Sequence, residues 1–124
     1  MPGPDNTAVA FALGRIAFGV GLLAAPRNVA SGWLAADAQR PGTQVAVRGL
    51  GARDIALAAG VVFAARQRAA LRPWLVGCLA CDLADIAATL AAGSELPGRA
   101  RWGTVALAGT AAITGAALTA RVER

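Results

Sequence analysis

Six charged side chains interrupt stretches that are otherwise apolar: Arg15, Arg48, Arg53, Asp54, Asp82 and Asp85. Three of them fall in RGLGARDIALAAG (residues 48–60) and two in CLACDLADI (residues 78–86). Asp82 and Asp85 are three residues apart, so on a helix they share a face. Two carboxyl groups on one turn, one holding a proton and one ionised, form an acid–base pair. With arginine alongside to orient a bound molecule, the chemistry open to them is proton transfer. The candidate catalytic residues are therefore Asp85, Asp82 and Asp54, and the ligand-binding or charge-pairing residues are Arg15, Arg48 and Arg53. Asp85 is the preferred functional acid, because it lies one turn outward of Asp82, where Arg48 and water have access. The chain has no histidine, so the residues suggest no metal site and no cofactor ligand.

These charges must be carried by four apolar segments, at about Thr7–Ala25, Thr43–Ala65, Pro73–Gly93 and Trp102–Ala120. Each is close to the ~20 residues that cross a hydrocarbon core as a helix. The composition agrees: 56% of residues are hydrophobic and only 15% are charged, where soluble domains carry roughly a quarter. A soluble helical protein of this composition would show polar stripes along its helices. The fourth segment, WGTVALAGTAAITGAALTA, has only threonines besides its tryptophan. Trp33, Trp74 and Trp102 fall at or near segment ends, where interfacial aromatic belts lie. The fold expected is an all-α, integral-membrane four-helix bundle forming one domain over residues 1–124. The first connection, residues 26–42, places Val29, Trp33 and Leu34 at helical spacing. It reads either as a short helix on the membrane surface or as an ordinary polar connector.

Depth follows from the helical rise of about 1.5 Å per residue. It puts Arg15, Arg53, Asp54 and Asp82 near mid-membrane, Asp85 slightly outward, and Arg48 about a quarter of the way in. Three cations and three anions thus share one slab and sum to zero. A lone charge at the centre of a membrane helix costs roughly 2.5–3.5 kcal/mol, so these six should face inward and pair. Arg53 is expected to partner Asp82 or Asp85. Gly14, Gly19, Gly21, Gly49, Gly51 and Gly60 are expected to let the first two long helices approach closely.

All twelve cations are arginine, and the formal net charge is +5. Three lie within apolar runs and the rest flank them, without the basic stripe and interleaved aromatics that nucleic acid requires. No nucleic-acid partner is expected. Arg66, Arg68, Arg72, Arg121, Arg124 and the free amine of Met1 fall on one side of a four-pass arrangement, and Arg27, Arg40, Arg99 and Arg101 on the other. That bias favours a multi-pass protein of the inner (plasma) membrane with both termini cytoplasmic. The leader MPGPDN lacks a basic cluster and Arg15 interrupts the first apolar run, so this segment reads as a retained helix rather than a signal peptide. Cys78 and Cys81 form C-x-x-C; in mid-helix, with no further ligand, they read as small packing residues.

ALGRIAFGVGLLAAPR, RGLGARDIALAAG and CDLADIAATL together resemble an uncharacterised family of small four-helix membrane proteins of actinobacteria. The layout is similar to that of DoxX-like membrane proteins. That resemblance implies a membrane location and links to redox partners and quinones, but the sequence has no cofactor ligand to carry such a role. Three readings stay open. One is an intramembrane Arg/Asp site that binds a small lipophilic molecule, or transforms it by isomerisation or cyclisation. Another is a proton-coupled carrier acting as a homo-oligomer. In the third, an accessory subunit, the charges only hold the helices together.

Overall fold

Proline marks the start of every helix. Its φ is already helical and its missing N–H is not needed in a first turn. Pro4, Pro26 and Pro41 open α1 (Pro4–Ala24), α2 (Pro26–Leu34) and α3 (Pro41–Arg66). Pro73 lies in the first turn of α4 (Arg72–Ala92), and Pro97 immediately precedes α5 (Gly98–Arg121). Short 3₁₀ turns follow α2 at Ala35–Gln39 and α4 at Gly93–Glu95. The computed structural model describes residues 3–124, and these are all-helical without strands. The four long helices begin earlier than the apolar runs suggest, because each start is fixed by a proline-marked polar turn. The amine of Met1, counted above with the cytoplasmic charges, lies outside the described residues.

α1, α4 with its 3₁₀ extension (Arg72–Glu95), and α5 are each long and apolar enough to cross a membrane. α3 is the longest helix but carries Arg48, Arg53 and Asp54. The threonines of α5 do not spoil its apolar character. Thr110, Thr114 and Thr119 donate to the carbonyls of Ala106, Thr110 and Gly115, one turn back, which satisfies the hydroxyl within the helix. Large apolar side chains cover the outside: Leu13 and Val20 on α1, Val45 and Phe63 on α3, Leu83 and Leu90 on α4, Ile113 on α5. An outer surface so apolar suits lipid contact.

The helices pack as two pairs, α1 on α3 and α4 on α5, with α4 bridging to α3. At the α1–α3 crossing, Gly19 and Gly51 face each other. A Cβ on either would come within 2.6 Å of the other's carbonyl oxygen, so this approach needs glycine on both sides. The other glycines singled out in the sequence do different work. Gly60 lies beneath the Trp74 indole of α4, and Gly21 faces Val29 of α2, while Gly14 and Gly49 have open space around them.

Apolar clusters fill both ends. One joins Ala8, Ala12, Ala58, Val61, Leu75 and Leu118, and the other Leu22, Ala30, Ala38 and Val47. Val29, Trp33 and Leu34 pack against this second cluster. α2 therefore exists as a helix, but its apolar residues cover the protein core rather than lie free on a surface. At the opposite end the chain is laced together. The amides of Leu71 and Arg72 donate to the Arg124 carbonyl, and Arg124 donates to the Ala69 carbonyl and to Asp5 at 2.6 Å. The start of α1, the α3–α4 turn and the end of α5 thus share one end of the molecule. The charged layer lies between the two clusters.

Candidate functional site

Asp82 is the central residue of α4, and Arg15 and Asp54 stand close to the centres of α1 and α3. Their level, about 14–20 Å from the helix ends at the α-helical rise, is where three helices present one charge each. Arg15 is 8% exposed, Asp54 5% and Asp82 4%. The Arg15 guanidinium divides its two terminal nitrogens: Nη1 donates to Asp82 Oδ2 at 2.7 Å and Nη2 to Asp54 Oδ1 at 2.9 Å. It also stacks 5.7 Å from the centroid of Phe11, a cation–π distance. Arg53, one residue before Asp54, turns to the other acid of α4. Its fork meets Asp85 through both carboxylate oxygens, at 3.0 and 2.7 Å, the bidentate geometry arginine favours. A longer contact of 3.5 Å runs from Arg53 to Asp54 Oδ1.

The two acids of α4 are therefore held differently. Asp85 is about a third exposed, with both oxygens engaged by Arg53. Asp82 is buried, yet only its Oδ2 is engaged; Asp82 Oδ1 and Asp54 Oδ2 accept no hydrogen bond from the described residues. The expectation that Arg53 pairs with Asp82 or Asp85 resolves to Asp85, and Asp82 takes Arg15 instead. Arg48 departs from expectation. It is exposed, and its Nε donates to the Leu23 carbonyl at 3.2 Å. Arg48 shares the slab only by depth. It lies six residues before Asp54, and a turn of about 100° per residue puts it on another helix face.

A cleft of about 660 Å³ opens on this layer. Arg15, Asp54, Asp82 and Asp85 supply its charged floor. Its walls come from Phe11 and Phe18 of α1, Trp33 of α2, and Thr104, Leu107 and Ala111 of α5. Gly14 and Ala10 of α1 and Leu107 and Thr110 of α5 line it while remaining exposed. The opening therefore faces sideways, between α1 and α5, which touch each other far less than either touches its packing partner α3 or α4. Volume and lining match a site for a drug-sized molecule, mostly apolar with a few convergent polar groups.

The wall residues carried no charge to flag them in the sequence. A spacing signal existed, since Phe11 and Phe18 lie four before and three after Arg15 and so share its face. Thr89, four residues after Asp85, also lines the cleft, with its hydroxyl turned back to the Asp85 carbonyl at 2.6 Å. Cys78 and Cys81 are free thiols, the first buried. Among the described residues no three His, Cys, Asp or Glu side chains are grouped as a metal would require. Compared with protein-family models, with curated proteins and with solved structures, the chain matches none, and its site is read from its own geometry.

Proposed function

We propose that this is an integral membrane protein whose α1–α5 cleft binds a small lipophilic molecule against the Arg/Asp floor. The observation that carries the reading is the cleft itself: a lateral, apolar-walled opening that ends on buried charge. In this reading α3 crosses the bilayer beside the three more apolar helices. Pairing supports that. Arg53 and Asp54 both have opposite-charge partners, and Arg48 reaches a backbone carbonyl, so α3 exposes little uncompensated charge to lipid. The arginine bias orients both termini to the cytoplasm of a plasma membrane. A molecule dissolved in the bilayer would then reach the floor without passing through water.

An accessory subunit held together by its ion pairs would have no need of a cleft, and a carrier would need access from a second side. A lipophilic-ligand site needs only the one lateral mouth. The unengaged oxygens favour one extension. Asp82 and Asp54 would exchange a proton with the bound molecule while Arg15 orients it, giving isomerisation or cyclisation by acid–base steps. Asp85, clamped by Arg53, would then hold the floor in place.

The test is photolabelling in nanodiscs with a diazirine-bearing dodecanol. Labelling should concentrate at residues 11–18 and 104–111, and Gly14→Leu should suppress it. A Cβ added at Gly14 meets nothing within 4 Å, and Gly14 lines the cleft, so a leucine there takes up cleft space. Labels distributed evenly over the exposed apolar residues of all four long helices, unchanged by Gly14→Leu, would defeat the proposal.

A further inference from the structure

With Arg48 turned away, two guanidiniums, Arg15 and Arg53, face three carboxylates, Asp54, Asp82 and Asp85. One negative charge is left uncompensated in a layer buried between two apolar clusters. The two oxygens without a partner, Asp82 Oδ1 and Asp54 Oδ2, belong to residues that line the cleft. Both are acceptors, so what they lack is a donor. Three aromatic side chains, Phe11, Phe18 and Trp33, stand on the walls near this floor. Phe18 and Trp33 are close enough to form one surface, with ring centroids 6.4 Å apart. The Nε groups of Arg15 and Arg53 are also buried without an acceptor, but an unmatched negative charge, two carboxylate oxygens without a donor and aromatic faces together favour a cation.

We propose that the molecule taken by the cleft is a lipophilic amine bound as its ammonium ion. Its N–H groups donate to Asp82 and Asp54, and its apolar body lies along α1 and α5 toward the lateral mouth. The inference rests on the cleft being a ligand site and adds the charge and polarity of the ligand. An anionic amphiphile would meet the unmatched carboxylate and is rejected. A neutral alcohol would gain hydrogen bonds but leave the charge in place. A proton held between Asp54 and Asp82 would cancel the same charge and would give no preference for a cation.

The experiment compares dodecylamine with dodecanol near neutral pH, where the amine is an ammonium ion. Both are titrated into the purified protein in nanodiscs, and binding is followed by the fluorescence of Trp33, with Trp74 and Trp102 replaced by phenylalanine. Gly14→Leu in the same background corrects for partition into lipid. The amine should bind at least about tenfold more tightly than the alcohol, because both donate to the carboxylates but only the ammonium adds its own charge to the attraction. Asp82→Asn, which balances the layer, should bring the ratio to near one. If that variant does not fold, Asp54→Asn removes the same charge, and the wild-type ratio stands as a test without either. Equal binding of amine and alcohol, both abolished by Gly14→Leu, would overturn the cation inference and leave the lipophilic site standing. Binding of both probes unaffected by Gly14→Leu would remove the site and the inference together.

Discussion

Arg15→Met is the perturbation that probes the charged layer most directly. Methionine keeps much of the length and apolar stem of arginine while removing the guanidinium, so packing changes least. Asp82 loses its single partner, and Asp54 keeps only the 3.5 Å contact with Arg53. Breaking a buried pair by deleting one member costs about 3–5 kcal/mol, because a charge remains without compensation. The cost of an aspartate at the centre of a membrane helix, roughly 2.5–3.5 kcal/mol, leads to a similar figure for Asp82 alone. Asp82→Asn should be milder, at about 1–2 kcal/mol, since an amide oxygen still accepts from Arg15 Nη1 and only the charge assistance is lost. In the double variant Arg15→Met/Asp82→Asn the orphaned charge is gone. It should therefore be more stable than Arg15→Met by about 2 kcal/mol, a coupling within the range seen for contacting residues. Arg48→Met is the control and should shift stability by less than about 1 kcal/mol, because its side chain is exposed and outside the layer.

The assay is reversible unfolding of the purified protein in mixed micelles by increasing denaturing detergent, followed by far-UV circular dichroism. The expected order of stability is wild type, Asp82→Asn, the double variant, then Arg15→Met. If the double variant is no more stable than Arg15→Met, the two residues do not share one interaction, and the layer described here is wrong. If Arg48→Met is as damaging as Arg15→Met, Arg48 belongs to the layer after all and the charge imbalance disappears.

Other expectations follow from backbone geometry and from charge bias. Ala35 ends α2 with φ 51° and ψ −126°, and Gly93 ends α4 with φ 54° and ψ −127°. This conformation suits glycine and strains alanine by about 1–3 kcal/mol. Ala35→Gly should therefore raise the unfolding midpoint in the same titration, and Gly93→Ala should lower it; a lowered midpoint in both would contradict the shared turn. Gly51→Ala should destabilise by about 1–3 kcal/mol, because its Cβ meets the Gly19 backbone oxygen, and an unchanged midpoint would show that α1 and α3 cross farther apart. Reporter fusions after Arg124 and within residues 67–71 should both report the cytoplasm, and an external signal from either would reverse the orientation.

Helices were legible because their apolar runs have membrane length, but those runs place each start late, since the proline-marked first turns are too polar to belong to them. The level of the charges was legible too, since depth along a helix is a matter of counting residues. Rotation about the helix axis was the harder quantity. Depth alone placed Arg48 with the others, and only its angular offset from Asp54 separates it. The partner of each acid also depends on which helices adjoin. Arg15 could reach Asp82 because Gly19 and Gly51 draw α1 onto α3 while α4 stands across from both, and no single segment contains that information. The cleft was least legible. It is a space bounded by Gly14, Ala88 and Ala111, residues whose small size is unremarkable in a chain this rich in alanine and glycine.

The structural and functional readings of the charges meet in the way the helix pairs are joined. Arg15 ties α1 to α4 and Arg53 ties α3 to α4, so both strong ion pairs cross from one helix pair to the other. On the far side, between α1 and α5, no comparable tie exists, and that is where the cleft opens. A molecule entering there meets a floor built by the same contacts that fasten the two pairs. Arg53–Asp85 is closed, with every carboxylate oxygen engaged, and suits fastening. Arg15 engages one oxygen from each of two acids and leaves one on each without a donor. Division of labour within a single ionic layer follows from this asymmetry: the Arg53 side holds the helices, and the Arg15 side both holds them and presents acceptors. A ligand that supplies the missing donors would strengthen the joint between the pairs, so occupancy of the cleft should raise the resistance of the fold to denaturing detergent. A ligand that bound elsewhere on the apolar surface would leave the joint, and the midpoint, as they were.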